Sequence, residues 1–175
     1  RRRMIREGAA EAGDRGLRLR EVTRADAEDL YRWRMDERSR PMFRSVDAVP
    51  FEAHRAFVER YFTDGNTDHW FVIEAAGVPV GTITLYHLSA DGREAEWGRL
   101  VVDPEKRGQG YGRRALALLI AHARAAGVRK LRCEVLEANA VAANLYTGAG
   151  FRRTGVEEGG GRRFVQLEVA LEPSA

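Results

Sequence analysis

The residues with most chemical potential lie between Glu96 and Ala123, in the stretch EWGRLVVDPEKRGQGYGRRALALLIAHA. Gly108, Gly110 and Gly112 stand at alternate positions, with Arg107 on one side and Arg113-Arg114 on the other. Glycines let an anion approach backbone N–H groups closely, and a helix beginning there adds partial positive charge. The arginines add formal charge and forked donors, so the stretch is suited to a phosphate. Two common phosphate loops are excluded. A dinucleotide fingerprint needs a glycine where Arg113 stands, and a P-loop needs a Gly-Lys-Ser/Thr that is absent. Glu96, just upstream, is a carboxylate beside an apolar run, costly to bury unless it works or is paired. In a regular strand Glu94, Glu96, Gly98, Leu100 and Val102 share one face, and a bulge would switch that parity. Downstream, Asn139 and Tyr146 are two helical turns apart and share one face, with Ala142 and Ala143 leaving a groove between them. A capping Asn and a packed Tyr fit the same spacing.

These residues need elements to carry them. Residues 1–16 lack periodicity and large apolar groups and are expected to be a disordered arm. Residues 17–175 are expected to form a single domain. Leu17, Leu19 and Val22 nearly alternate as a first strand. Thr23-x-x-Asp26 resembles a capping box opening a helix to about Met35. Residues 38–50 read as a loop, and 51–62 as a second helix with Phe51, Ala53, Ala56, Phe57 and Tyr61 inward. Strands follow at 70–75 and 78–87 about an Ala76-Gly77 turn, then at 94–102. Asp103-Pro104 stops that last strand, because proline has no N–H for a ladder. Leu116, Leu119, Ile120 and Ala123 recur at helical spacing, so a helix starts at about Gly110. A strand at 129–136, a helix at 139–148 and a hairpin of 151–154 with 163–171 complete the chain. In the last strand Val165, Leu167, Val169 and Leu171 face one way, so one side is buried. The order implies a mixed α/β fold with helices on both faces of a sheet.

Composition sets bounds. The 175 residues, 44% hydrophobic and 31% charged, describe an ordinary globular protein with room for a core. The net charge of +3 is not a nucleic-acid signal, since residues 1–16 hold +2 of it. No apolar run is long enough for a membrane span. The single cysteine, Cys133, excludes an intrachain disulfide and suits a reducing, cytoplasmic setting. It alternates with Leu131 and Val135 and reads as a buried strand residue rather than a reactive thiol. The four His and one Cys show no metal-ligand spacing, so no metal is expected.

Arg107-Gly108-Gln109-Gly110-Tyr111-Gly112 resembles the acetyl-CoA loop of the GCN5-related N-acetyltransferases, Q/R-x-x-G-x-G/A. Asn139, Ala142, Leu145-Tyr146 and Gly150-Phe151 resemble that family's second signature, about thirty residues on. The resemblance spans roughly residues 17–171. It implies a mixed, mostly antiparallel central sheet flanked by helices, and acetyl-CoA as co-substrate without a metal. It also implies direct attack by a primary amine in a ternary complex. Such transfer requires the ammonium to lose a proton, the oxyanion to be stabilised and the departing thiolate to be protonated. By resemblance, Glu96 is the base, acting directly or through water, and Tyr146 the acid. Residues 107–113 hold the pyrophosphate. Backbone around Leu100, Val101 and Val102 pairs with pantetheine and donates to the oxyanion, and Asn139 hydrogen-bonds the same arm. An edge carboxylate paired with an arginine remains the other reading of Glu96.

For the acceptor, Trp33-Arg34, Met42-Phe43 and Glu52-x-His54 resemble segments of sugar-nucleotide 4-amino N-acetyltransferases of the pseudaminic-acid type. Acetyltransferases of ribosomal-protein N-termini share parts of this pattern. Core packing of Trp33 and Phe43, and a solvent-facing His54, are the competing readings. The preferred acceptor is an aminosugar or sugar nucleotide, because Arg34, Arg38, Arg40 and Arg44 suit a phosphate better than a polyamine. A protein N-terminus, an aminoglycoside and a polyamine are the alternatives, and a non-catalytic acyl-CoA-binding domain is the alternative outside enzymes. An intact Glu96 and Tyr146 argue against that last one. No nucleic-acid or membrane partner is expected, and the chain is expected to be a monomer or homodimer.

Overall fold

The computed structural model describes residues 16–172. The expected N-terminal arm therefore lies outside the described residues except for Gly16. Seven strands form one sheet: β1 (Leu17–Glu21), β2 (His69–Ala75), β3 (Val78–Tyr86), β4 (Glu94–Val102), β5 (Lys130–Leu136), β6 (Arg152–Gly159) and β7 (Arg162–Ala170). Four helices accompany them: α1 (Ala27–Met35), α2 (Phe51–Tyr61), α3 (Tyr111–Ala125) and α4 (Ala140–Gly148). The sheet order is β1-β2-β3-β4-β5-β7-β6, and every pair is antiparallel except β4–β5.

Two apolar cores, one on each sheet face, hold the layers together. On one face α3 packs Leu116, Leu119 and Ala123 against Ile73, Ile83, Trp97 and Leu131, and α4 adds Tyr146. On the other, α1 and α2 bring Leu30, Trp33, Val58 and Tyr61 onto Trp70, Val72 and Val101. Leu119 has no exposed surface, so Leu119→Ala is expected to cost about 2–5 kcal/mol in a denaturant titration, with the cavity term included. Thr23 N–H and Oγ both donate to Asp26 Oδ2, at 2.7 and 2.8 Å, and a 3-10 turn leads into α1. Arg20 grips the same carboxylate at 2.8 Å and Glu74 at 2.7 Å, tying the start of α1 to the sheet edge.

Three expectations need correction. In α2 the buried residues are His54, Val58 and Tyr61, whereas Ala53 and Ala56 are exposed. The helix turns its bulkier side chains to the core, where they bury more area than an alanine can. The last hairpin reverses at Gly160-Gly161, with φ of 59° and 71°, so β6 runs on to Gly159 and takes in Glu157 and Glu158. A two-residue turn with positive φ at both positions matches strand twist and leaves no five-residue loop. Its partner β7 also buries Phe164 on the side opposite Leu167, beneath the guanidinium groups of Arg44 and Arg162.

The break between β4 and β5 positions the site. These strands pair only from Glu94–Lys130 to Glu96–Arg132 and then part. Against β3, Thr82 faces Val101 while Thr84 faces Gly98, so β4 holds an extra residue. Arg99, with φ of 51°, sits in this bulge. Parity switches there. Ala95 and Trp97 belong to the α3 core, Leu100 packs on that same core, and Val101 belongs to the α1–α2 core. Glu96 and Leu100 therefore do not share a face.

Candidate active site

Where β4 parts from β5, Trp97, Gly98, Val101 and Val102 have strand partners on the β3 side only, and Arg99 and Leu100 in the bulge have none. Backbone polar groups on the open side lack a ladder partner, and an extended amide-bearing ligand can satisfy them. The strand ends on the glycine loop. Gly108 and Gly110 have φ of 81° and 77°, and Gly110 is the N-cap of α3, whose side-chain cap is missing because glycine has none. The N–H groups of the first α3 turn are left for an external acceptor. Gly112 lies over the end of β4: a Cβ there would touch Val102 Cγ2 at 3.7 Å and Leu145 Cδ1 at 3.6 Å. Its small size brings this helix end close to the open strand edge.

The loop side chains divide into braces and free charge. Tyr111 donates to Gln109 Oε1 at 3.0 Å, and Gln109 donates to Lys106 O. Arg107 donates to Ser39 Oγ at 2.7 Å and to Arg38 O, which anchors the loop to the turn after α1. Arg113 is exposed, with no ion pair among the described residues. An unpaired cation, free N–H groups and an open strand edge fit a phosphate-bearing ligand with an amide-rich arm.

Glu96 and Tyr146 come from opposite faces of the sheet. Glu96 Oε2 lies 3.1 Å from His87 Nδ1, and its side chain is 46% exposed. Tyr86 pairs with Glu96 across the strands, and its hydroxyl lies over Gly98, where a Cβ would come within 2.7 Å. Burial pushes the Tyr86 phenol up to about 12, partly offset by Arg99. On the far side Tyr146 packs edge-on against Trp97, ring centroids 4.8 Å apart. Burial, then the neighbouring Cys133 and Tyr86, push its phenol well above the usual tyrosine range. The hydroxyl therefore keeps its proton at neutral pH, as a donor must. Cys133 is buried as expected, and burial pushes its thiol up to about 12, so it is not a thiolate nucleophile. Asn139 caps α4, its Oδ1 accepting from Ala142 N–H at 3.2 Å, which leaves its amide nitrogen available.

On the α1–α2 face a cavity of about 480 Å³ opens beside the bulge. Its floor is Trp70, Thr82, Arg99 and Val101, and its walls are Arg34 of α1, His54, Phe57 and Arg60 of α2, and the 43–49 loop. The structure thus brings Arg34, Phe43 and His54 together. It does not bring Trp33 or Met42 with them. Trp33 has no exposed surface and fills the α1–α2 core, and Met42 is 46% exposed on a 3-10 turn outside the cavity lining. A tryptophan's apolar area is better used in a core than on a wet wall. His54 is buried rather than solvent-facing, and burial, then the Arg34 charge, lower its pKa. Tyr86, His87, Arg60 and Arg99 were not singled out from sequence. The spacing 54, 57, 60 on one helical face was a usable signal for Arg60. Tyr86 and His87 were identifiable only through their cross-strand pairing with Glu96. Among the described residues no group of His, Cys, Asp and Glu is placed to hold a metal, and no helix is long and apolar enough to cross a membrane.

Comparisons with known proteins agree with this geometry. A Thermobispora bispora protein named mycothiol acetyltransferase is 38% identical over 92 residues, covering 50% of this chain and 31% of the relative. The chain thus matches under a third of that relative's length. Spermidine N-acetyltransferase from Vibrio cholerae, solved with CoA and spermine, superposes with a TM-score of 0.81 at 21% identity, covering 90% of this chain and 96% of the other. A Salmonella typhimurium protein solved with its cofactor acetyl-CoA gives a TM-score of 0.68 at 22% identity, covering 91% and 96%. At these identities the two structures show a shared fold. The profile of the acetyltransferase (GNAT) family matches residues 27–151, which contain the glycine loop, the open edge of β4 and Tyr146, and the chain belongs to that family.

Proposed function

We propose that the protein is an acetyl-CoA-dependent N-acetyltransferase acting on a small primary amine, with an aminosugar or sugar nucleotide as the favoured acceptor. The observation that carries this reading is the convergence of the unpaired β4 edge with the uncapped N-terminus of α3. Residues 107–113 hold the pyrophosphate, and the backbone of Leu100–Val102 and the Asn139 amide hold the pantetheine arm. Bound there, acetyl-CoA supplies the acyl group as a thioester with a thiol as leaving group.

The chain's own residues then handle protons and position. The acceptor enters from the cavity side, and Glu96, on the same sheet face but outside the cavity lining, takes the ammonium proton directly or through water, with its carboxylate oriented by His87. The new N–C bond forms as the C–S bond breaks. Tyr146, protonated on the opposite face, supplies the proton to the departing sulfur. Free backbone N–H groups near Leu100 and Val101 face the oxygen on which charge develops. The polyamine of the Vibrio cholerae neighbour is not carried over, because the cavity lining holds four arginines and one carboxylate, Asp47.

The test is release of CoA thiol from acetyl-CoA with a panel of amines, beside an acetyl-CoA thermal shift. Glu96→Gln is expected to depress turnover at neutral pH and to recover partly at high pH, where the amine deprotonates unaided. An unchanged pH–rate profile would assign proton removal to water or a backbone carbonyl.

A further inference from the structure

Several arginines among the described residues are matched by carboxylates. Arg38 is held by Asp36 and Glu105, and Arg44 by Glu134 and Glu157. Arg34 is different. Its Nη2 donates to Ser45 O at 2.5 Å and its guanidinium lies 3.9 Å from the Phe43 ring centroid, but Nη1 is buried with no acceptor. Burial, then the charge of Arg40, lower its pKa, so its surroundings oppose the cation instead of compensating it. His54 on the facing helix repeats the pattern, with Nε2 buried and without an acceptor. Both side chains line the same cavity, which Arg60 and Arg99 also line. Arg60 has no carboxylate partner among the described residues, and Arg99 has only Asp68, at 3.8 Å. Buried polar groups are normally bonded, and an uncompensated buried charge is costly, so an unpaired guanidinium N–H and an unpaired imidazole nitrogen, a donor in its Nε2–H tautomer, mark a vacant acceptor position in this cavity.

We propose that Arg34 Nη1 and His54 Nε2 form an anion subsite in the acceptor cavity, and that the acceptor amine carries a carboxylate or phosphate group docking there. This rests on the acetyltransferase reading for the word acceptor, but not for the subsite. The guanidinium fork matches either anion, and the Arg60 and Arg99 charges favour the more highly charged phosphate. A polycation is repelled by the same charges.

Two experiments separate the subsite from the activity. In the first, inorganic phosphate and acetate are titrated separately into protein saturated with CoA, which fills the glycine loop, while the imidazole NMR signals of His54 are followed. They are expected to shift saturably, with phosphate acting at lower concentration. His54→Gln assigns the signals. Arg34→Gln should weaken the response at least tenfold while keeping the CoA-induced thermal shift. Arg34→Met, which keeps an unbranched side chain in place of the guanidinium over Phe43, is the second variant should Arg34→Gln fold poorly. In the second experiment CoA release is compared for glucosamine, glucosamine 6-phosphate, an amino acid and spermidine. The anionic acceptors should have KM at least tenfold below glucosamine, and Arg34→Gln should erase that ratio. His54 signals indifferent to both anions, or a preference for spermidine that survives Arg34→Gln, would overturn the proposal. If no amine releases CoA while His54 still responds to phosphate through Arg34, the subsite stands and the acetyltransferase reading falls.

Discussion

Tyr146→Phe is expected to lower turnover about a hundredfold while leaving acetyl-CoA affinity and thermal stability nearly unchanged. The ring packs edge-on against Trp97 inside the α3–α4 core, and phenylalanine keeps that contact. What is lost is a hydroxyl that forms no hydrogen bond among the described residues and whose proton is held tightly by burial. A donor that acts only as the thiolate departs contributes to the transition state and not to ground-state binding, so kcat falls and KM for acetyl-CoA does not. Measuring CoA release and acetyl-CoA binding on one preparation decides the matter. A fall of only severalfold would show that the thiolate leaves adequately unaided. Lost binding with retained turnover would make the tyrosine structural.

Gly110→Glu is expected to abolish acetyl-CoA binding. In the parent protein, ligand at a hundredfold excess over Kd should add about 2.7 kcal/mol, or about 5–10 °C in Tm for a chain of this size. Gly110 caps α3 at φ 77°, a region that side-chain-bearing residues enter at a cost, and a Cβ there meets no atom within 4 Å. The variant should therefore fold, with moderate backbone strain and a carboxylate against the position proposed for the pyrophosphate. Gly110→Asn isolates the electrostatic part, because asparagine tolerates the left-handed region without negative charge. A normal thermal shift in Gly110→Glu would mean that the phosphate binds elsewhere.

The local features of this site were legible in the chain because they depend on neighbours in sequence. Glycines at 108, 110 and 112 make a helix start without a side-chain cap wherever that helix packs. Alternation and helical spacing set the order of elements, since a strand or helix must turn its apolar side inward in any fold. The hairpin boundaries were less legible, because a two-residue reversal at Gly160-Gly161 depends on how β6 and β7 register against each other.

Features made by distant segments were decided only on folding. The bulge at Arg99 depends on the pairing of β4 with β3, and it moves Leu100 off the face that Glu96 occupies. Trp33 and His54 belong to amphipathic helices that periodicity locates, yet which one fills the core and which one lines a cavity depends on how α1 and α2 lie on the sheet. The same holds for charge. In sequence Arg34, Arg38, Arg40 and Arg44 are equivalent cations, and only the fold brings Glu105 to Arg38 and Glu134 to Arg44 and leaves Arg34 Nη1 buried without an acceptor. Pairing is a property of space: Glu134 lies ninety residues from Arg44 along the chain and 2.5 Å from it in the fold.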